Sequence, residues 1–296
     1  MPSTPIPPRV GEPLRLLAVH AHPDDESSKG AASTAKYVRE GVEVLVVSCT
    51  GGERGDILNN RVELAGRTIG EVRREEMANA AKILGIQHRW LGFEDSGWPD
   101  GDPKPPLPQG CFADLELEFV AAPLVEIVRE FRPHVMTTYD ENGGYPHPDH
   151  IRTHEVAMFA WDKAADADYE TGQEPWTVSK IYYHHTFTRE RVVAMHEALL
   201  GLGLESPYED WLKDWDETEN ALQRVTTRIP CGEYFNIRDE ALQAHATQID
   251  PDGSWFAVPH AMQIEIWPTE DFELAQSRIG EIGLEDDLFN GLRSSQ

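Results

Sequence analysis

At 296 residues the chain can bury a substantial core, either as one large α/β domain or as a core with an appended lobe. Its 40% hydrophobic and 26% charged residues are ordinary for a globular protein, and no run approaches the ~18 consecutive apolar residues of a membrane span. Fifty-two acidic against 26 basic side chains give a net charge of −26, which repels polyanions and argues against nucleic acid or anionic membrane as partners.

Residues 1–13 are Pro-rich and lack an apolar stretch, so a flexible N-terminal segment is expected rather than a secretory leader. Residues 14–20 form a short apolar run of the kind found in buried parallel strands, and the valine-rich 42–49 is another. Between them 27–40 has helical spacing and stops at Gly41. Residues 67–84 read as a longer amphipathic helix closed by Gly85, followed by a short strand near 88–92. A helix over 115–131 ends at Arg132-Pro133, and 134–139 is a strand. This alternation predicts a Rossmann-like, mostly parallel sheet with helices on both faces. The Pro-, Gly- and Asp-rich 96–110 and the glycine-bearing 140–148 read as long loops. Farther on, 180–186 and 224–230 are expected as strands, and 233–247 and 270–278 as helices. There is no internal repeat. The expected organisation is a catalytic core over 14–178, with 179–296 completing the sheet and covering the crevice as a smaller lobe. Cys49, Cys111 and Cys231 form no CxxC pair and are odd in number, which fits reduced thiols in a cytoplasm.

The strongest chemical feature is Ala21-His22-Pro23-Asp24-Asp25-Glu26, directly after the first strand. Ligands of open parallel sheets bind beyond the strands' carboxyl ends. A His and an Asp three apart in a turn can point at one ion, leaving the intervening Asp24 free beside it. A third ligand from another strand end would complete the three-ligand pattern of a catalytic zinc. The strand over 134–139 runs into Glu141-Asn142-Gly143-Gly144-Tyr145-Pro146-His147-Pro148-Asp149-His150, which presents Tyr145, His147, Asp149 and His150 at a helix start. Alone, His-Pro-Asp is also a plain turn and N-cap sequence; two such clusters at two strand ends are hard to explain that way. His154 lies four residues past His150 but completes no HExxH, so it reads as a surface or supporting residue. Thr50-Gly51-Gly52-Glu53-Arg54-Gly55 only loosely resembles a phosphate loop; its glycines would let Glu53 and Arg54 approach the crevice. Arg73 and Glu76 are one helical turn apart and could form a surface pair.

These runs resemble the PIG-L/LmbE family of zinc-dependent N-acetylglucosaminyl deacetylases, whose signature is AHPDDE after the first strand and a later HPDH. The TGGERG loop, Arg73-Arg74-Glu75-Glu76-Met77 and the ENGGYPHPDH turn also fit. Residues 19–30, 132–150 and His245-Ala246-Thr247-Gln248-Ile249-Asp250-Pro251 are similar to the mycothiol S-conjugate amidases within that family. The resemblance implies a Zn2+ ion held by His22, Asp25 and His150, a donor set that iron(II) also suits. It implies Asp24 as general base, Tyr145 or His147 as donors to the oxyanion, and Asp149 as the group orienting a histidine. It further implies a small-molecule thiol-conjugate substrate contacted by Lys29, Arg73 and Glu53, with His245 and Gln248 on the far side of the pocket. Lys29 stands where a deacetylase more often has a small polar residue. The alternative activity is deacetylation of N-acetylglucosaminyl-inositol or a related N-acyl amino sugar. Oligomeric state is not legible.

Overall fold

The computed structural model describes residue 5 and residues 11–215, 221–280 and 283–293. Most of the N-terminal segment expected to be flexible lies outside the described residues. Strands β1 (Arg15–His20), β2 (Glu43–Thr50), β3 (Gln87–Phe93), β4 (Val135–Thr138), β5 (Lys180–His184), β6 (Thr227–Pro230) and β7 (Thr269–Ser277) form one sheet of order β3-β2-β1-β4-β5-β7-β6. The first five pair in parallel, while β7 is antiparallel to both β5 and β6. The expected mostly parallel sheet is therefore present. Its order reverses between β1 and β4, the switch point at which such sheets bind ligands, and the two His/Asp motifs follow those two strands.

Both faces are covered, which is why β1 and β2 read as unbroken apolar runs. Leu17, Val19, Leu45 and Val47 pack under α4 (Leu117–Phe131) and α5 (Pro148–Ala164), with Val128 and Trp161 completely buried or nearly so. On the other face Leu16, Val44, Val135 and Tyr182 meet Tyr37 of α2 (Ala31–Arg39) and Phe235 of α8 (Phe235–Ala244). Each fully buried side chain of this size is worth about 1.5–3 kcal/mol of transfer free energy. α3 (Ile69–Leu84) starts with a Thr68–Glu71 capping box and ends at Gly85, whose φ of 75° takes the left-handed cap. Three helices, α6 (Arg189–Gly201), α7 (Glu209–Lys213) and α9 (His260–Ile266), pack with Val192, Met195, Leu199, Tyr208 and Val258 into a satellite cluster beside the sheet.

Two expectations are corrected. The helix expected over 27–40 is broken into α1 (Asp25–Ser28) and α2. Gly30 takes φ 81° at the break, and a Cβ there would lie 2.7 Å from the His184 ring. The segment 270–278, expected as a helix, is strand β7. Phe272 and Leu274 share one face at the period of a strand, and pairing on both sides overrides the helix-favouring Glu, Leu and Ala. Its polar residues are satisfied by tertiary partners: Glu270 accepts from the Ala32 (3.1 Å) and Ser33 (2.8 Å) N–H groups at the start of α2.

Candidate metal and catalytic site

The chain leaves β1 into a tight turn whose backbone is tied down from several directions. The Tyr139 hydroxyl accepts from the Ala21 N–H at 2.9 Å. Asp24 occupies the left-handed region at φ 106°, which costs a non-glycine residue about 1–3 kcal/mol and persists only where surroundings dictate it. Two groups dictate it here. Glu26 Oε2 accepts the Asp24 N–H at 2.9 Å, and the buried Arg73 guanidinium donates to Pro23 O at 2.6 Å, to Gly52 O at 3.2 Å and to Asp24 Oδ2 at 3.4 Å. Glu26 is itself fixed by His245, whose Nε2 donates to Oε1 at 2.7 Å.

Three nitrogen and oxygen donors converge beyond this turn. His22 Nε2 lies 3.2 Å from Asp149 Oδ2 and its Nδ1 lies 3.6 Å from Asp25 Oδ2; burial disfavours charge on the ring, but Asp149, Asp25 and Asp95 outweigh it and raise its pKa well above the usual imidazole value. His150 donates Nδ1–H to Gly143 O at 2.9 Å, which leaves Nε2 unprotonated and 3.4 Å from the same Asp25 oxygen. That Nε2 is fully buried and makes no hydrogen bond. An orphaned imidazole nitrogen facing a carboxylate and a second imidazole is the donor set a divalent ion requires. The candidate ligand atoms of His22, Asp25 and His150 lie within 4.8 Å of one another, so this group is able to hold a metal ion. His22, Asp95 and His147 form a second grouping of the same kind. Burial works against ionised Asp25, but Lys29, whose Nζ donates to Oδ1 at 2.7 Å, and the two facing histidines outweigh it and hold the carboxyl well below its usual range.

Asp24 stands beside this group without joining it. Burial pushes its carboxyl up to about 6, with Arg73 opposing the rise, and a quarter of the side chain remains exposed toward the basin. His147 caps α5: its Nδ1 accepts the Asp149 N–H at 3.1 Å, so the neutral ring carries its proton on Nε2. Pro148 at the first helical position and Gly143 at φ 76° shape the turn; a Cβ on Gly143 would come within 2.6 Å of the His150 side chain. Tyr145, 44% exposed, lines the same basin as Asp24.

The remaining residues singled out from sequence are placed as follows. Gln248 lines the basin with Arg54, Asp56, Arg73 and Asp95. Lys29 lies between Asp25 and a neighbouring cavity. Glu53 pairs with Arg74 at 3.6 Å and accepts the Asp95 N–H at 3.3 Å, so it props the glycine turn rather than lining the basin. His245 is completely buried against Glu26 and does not line the pocket whose far side it was expected to form. Arg73 and Glu76 are no surface pair: both are buried, and Glu76 accepts from the Thr247 N–H (2.8 Å) and hydroxyl (2.7 Å). His154 donates its Nδ1–H to Tyr139 O at 3.0 Å, outside the donor cluster. Asp95 was missed. It sits 3.6 Å from His22 Nε2, and its position just past β3, at the same sheet edge, was the available signal. Glu26 and Tyr139 were likewise not recognised as supports of the turn.

A mostly parallel sheet thus places at its switch point a buried His-Asp-His group able to hold a metal ion, with a carboxylate outside the group beside it. Residues 17–161 match the PIG-L family, described as GlcNAc-PI de-N-acetylase. A mycothiol S-conjugate amidase of Streptomyces coelicolor is 57% identical over 95% of this chain and 98% of its own. A 1D-myo-inositol 2-acetamido-2-deoxy-alpha-D-glucopyranoside deacetylase of Geodermatophilus obscurus is 40% identical over 94% of this chain and 98% of its own. The solved structure of N,N'-diacetylchitobiose deacetylase from Pyrococcus horikoshii shares the fold at a TM-score of 0.60 and 19% identity, over 88% of this chain and 83% of that one. The chain belongs to the PIG-L family and is a hydrolase of amide bonds. No helix among the described residues is long and apolar enough to cross a membrane.

Proposed function

We propose that the chain is a zinc-dependent amidase that cleaves mycothiol S-conjugates into glucosaminyl-inositol and an N-acetylcysteine S-conjugate, with His22, Asp25 and His150 as metal ligands. The observation that carries the chemistry is the convergence of those three donors with Asp24 beside them and bonded to none. The substrate assignment is supported by the 57% identity to the Streptomyces amidase across both halves of the chain. A divalent ion held by these ligands supplies positive charge that polarises a carbonyl and acidifies water.

The protein's own groups do the rest. Asp24, held by Arg73 and the Glu26 contact, takes the proton of the attacking water on a carboxylate oxygen and returns it to the leaving amine. The Nε2–H of His147 and the Tyr145 hydroxyl donate to the developing oxyanion. Asp149 keeps the His22 proton on Nε2, and with it the ring orientation. Arg54, Asp95 and Gln248 give the basin both donors and acceptors, which suits a polyhydroxylated amine half. Three buried thiols without disulfides support a reducing cytoplasm as the site of action.

The test is a paired assay of metal-analysed wild type and Asp24→Asn on a mycothiol S-conjugate. A loss of ~100-fold or more at unchanged metal content is expected for the variant. Wild type that is inactive on conjugates but active on acetylglucosaminyl-inositol would move the assignment to the deacetylase reading, which the 40% identical relative favours.

A further inference from the structure

Tyr145 is a partition. One face lines the polar basin; the other lines a larger cavity of about 610 Å³. Lys29 and His185 border this cavity near the metal turn, and Phe187, Trp211 and Trp215 wall its far side. Because Lys29 Nζ also donates to Asp25 Oδ1 at 2.7 Å, the cavity begins one side chain away from the candidate ligands. The aromatic wall is built: Phe187 and Trp211 lie 5.3 Å apart edge to face, Trp211 and Trp215 5.4 Å apart, and Phe187 and Trp255 5.7 Å apart. Phe187 remains 43% exposed and Trp211 41%, although both belong to a packed aromatic cluster. Large rings packed against one another yet left uncovered mark a place where a ligand completes the packing.

An amide positioned at the turn has two ends. Its polyhydroxylated amine half fits the side with Arg54, Asp95 and Gln248, so its acyl half must leave past Tyr145 into the aromatic cavity. We propose that this cavity is the acyl subsite and that it selects amides whose acyl cysteine carries a bulky hydrophobic, preferably aromatic, group on sulfur. The proposal rests on the amidase reading for the nature of that acyl group. A methyl substituent would leave the rings of Trp211 and Phe187 untouched, whereas an aryl ring can pack edge to face against them.

The experiment compares kcat/KM on S-methyl and S-benzyl mycothiol for wild type, Trp211→Ala and Trp211→Phe, with melting curves and calorimetric binding of S-benzyl-N-acetylcysteine. Trp211→Ala should lose about 10-fold or more on the benzyl conjugate, mainly through KM, and change less than about twofold on the methyl one. Trp211→Phe should stay within about threefold of wild type on both. An unchanged benzyl-to-methyl ratio in a folded Trp211→Ala protein overturns the subsite while leaving the amidase reading intact. If Trp211→Ala fails to fold, Phe187→Ala is held to the same expectation. Wild type inactive on both conjugates removes the amidase reading. Calorimetry then decides alone: binding weakened by the substitution supports the cavity, and binding that is absent or unaffected overturns it.

Discussion

On one side of Tyr145 lies a basin of about 210 Å³ lined largely by polar and charged side chains from the segments that follow β1, β2, β3 and β4. On the other lies a cavity about three times larger, walled by aromatic rings from the helical lobe. The first is held by bonds that cross the whole chain, such as Glu26 to His245 and Glu76 to Thr247, and sits on the rigid sheet. The second adds to the ends of β4 and β5 the packing of α6, α7 and α9, a small cluster beside the sheet. Reaction type and acyl preference are thus built from different materials, and substitutions should separate them.

The largest effect is expected from the metal cluster. His150→Ala should cut hydrolysis by at least ~100-fold on every substrate and lower bound metal in elemental analysis; chelated wild type should lose activity and regain it with added zinc. Asp149→Asn keeps the side-chain volume but disturbs the His22 proton; a loss of about 10–100-fold in metal affinity or turnover is expected from metal titration and kinetics. Glu26→Ala frees the Asp24 backbone from its left-handed position. With ~1–3 kcal/mol of conformational cost to hold, kcat should fall by about 5- to 150-fold with little change in KM, and Glu26→Gln, which keeps an acceptor for the Asp24 N–H, should recover much of it. Loss of stability alone, without a kcat effect in the folded fraction, would count against this role.

The smallest effect lies far from either pocket. Burial works to raise the Asp287 carboxyl, yet Arg293, the Phe289 N–H and the Tyr37 hydroxyl outweigh it and hold it below its ordinary value. A depressed folded value means that its contribution is present above the unfolded pKa of ~3.9 and is lost as pH falls through the lower folded one. Asp287→Asn should therefore lower Tm by a few degrees, roughly 2–4 °C, from neutral pH down to ~4, with the deficit shrinking below that, as read by melting curves across pH.

The polar side was legible in the sequence and the aromatic side was not. His22, Asp25 and His150 stand in dense motifs at strand ends, and parallel strands announce themselves as apolar runs. Asp95 carries no motif, only a place just past a strand. Glu26 and His245 were both visible, but not the contact between residues 219 apart. Phe187 and Trp215 lie outside the helices, Trp211 in the short α7 and Trp255 in a 3-10 turn, so no single periodic pattern in the sequence joins the four rings. Strand β7 was misread because its Glu, Leu and Ala favour a helix until strands on both sides claim it.

Glu270 on β7 caps the start of α2, the helix that carries the chain away from the metal turn. During synthesis, that helix and the whole first half are on the outside of the ribosome long before residue 270 exists. The β5 edge and the α2 N-terminus must wait, open, for a segment made some 240 residues later, so a nascent chain stopped short of Thr269 carries every candidate ligand but lacks the clasp on the helix that follows the turn.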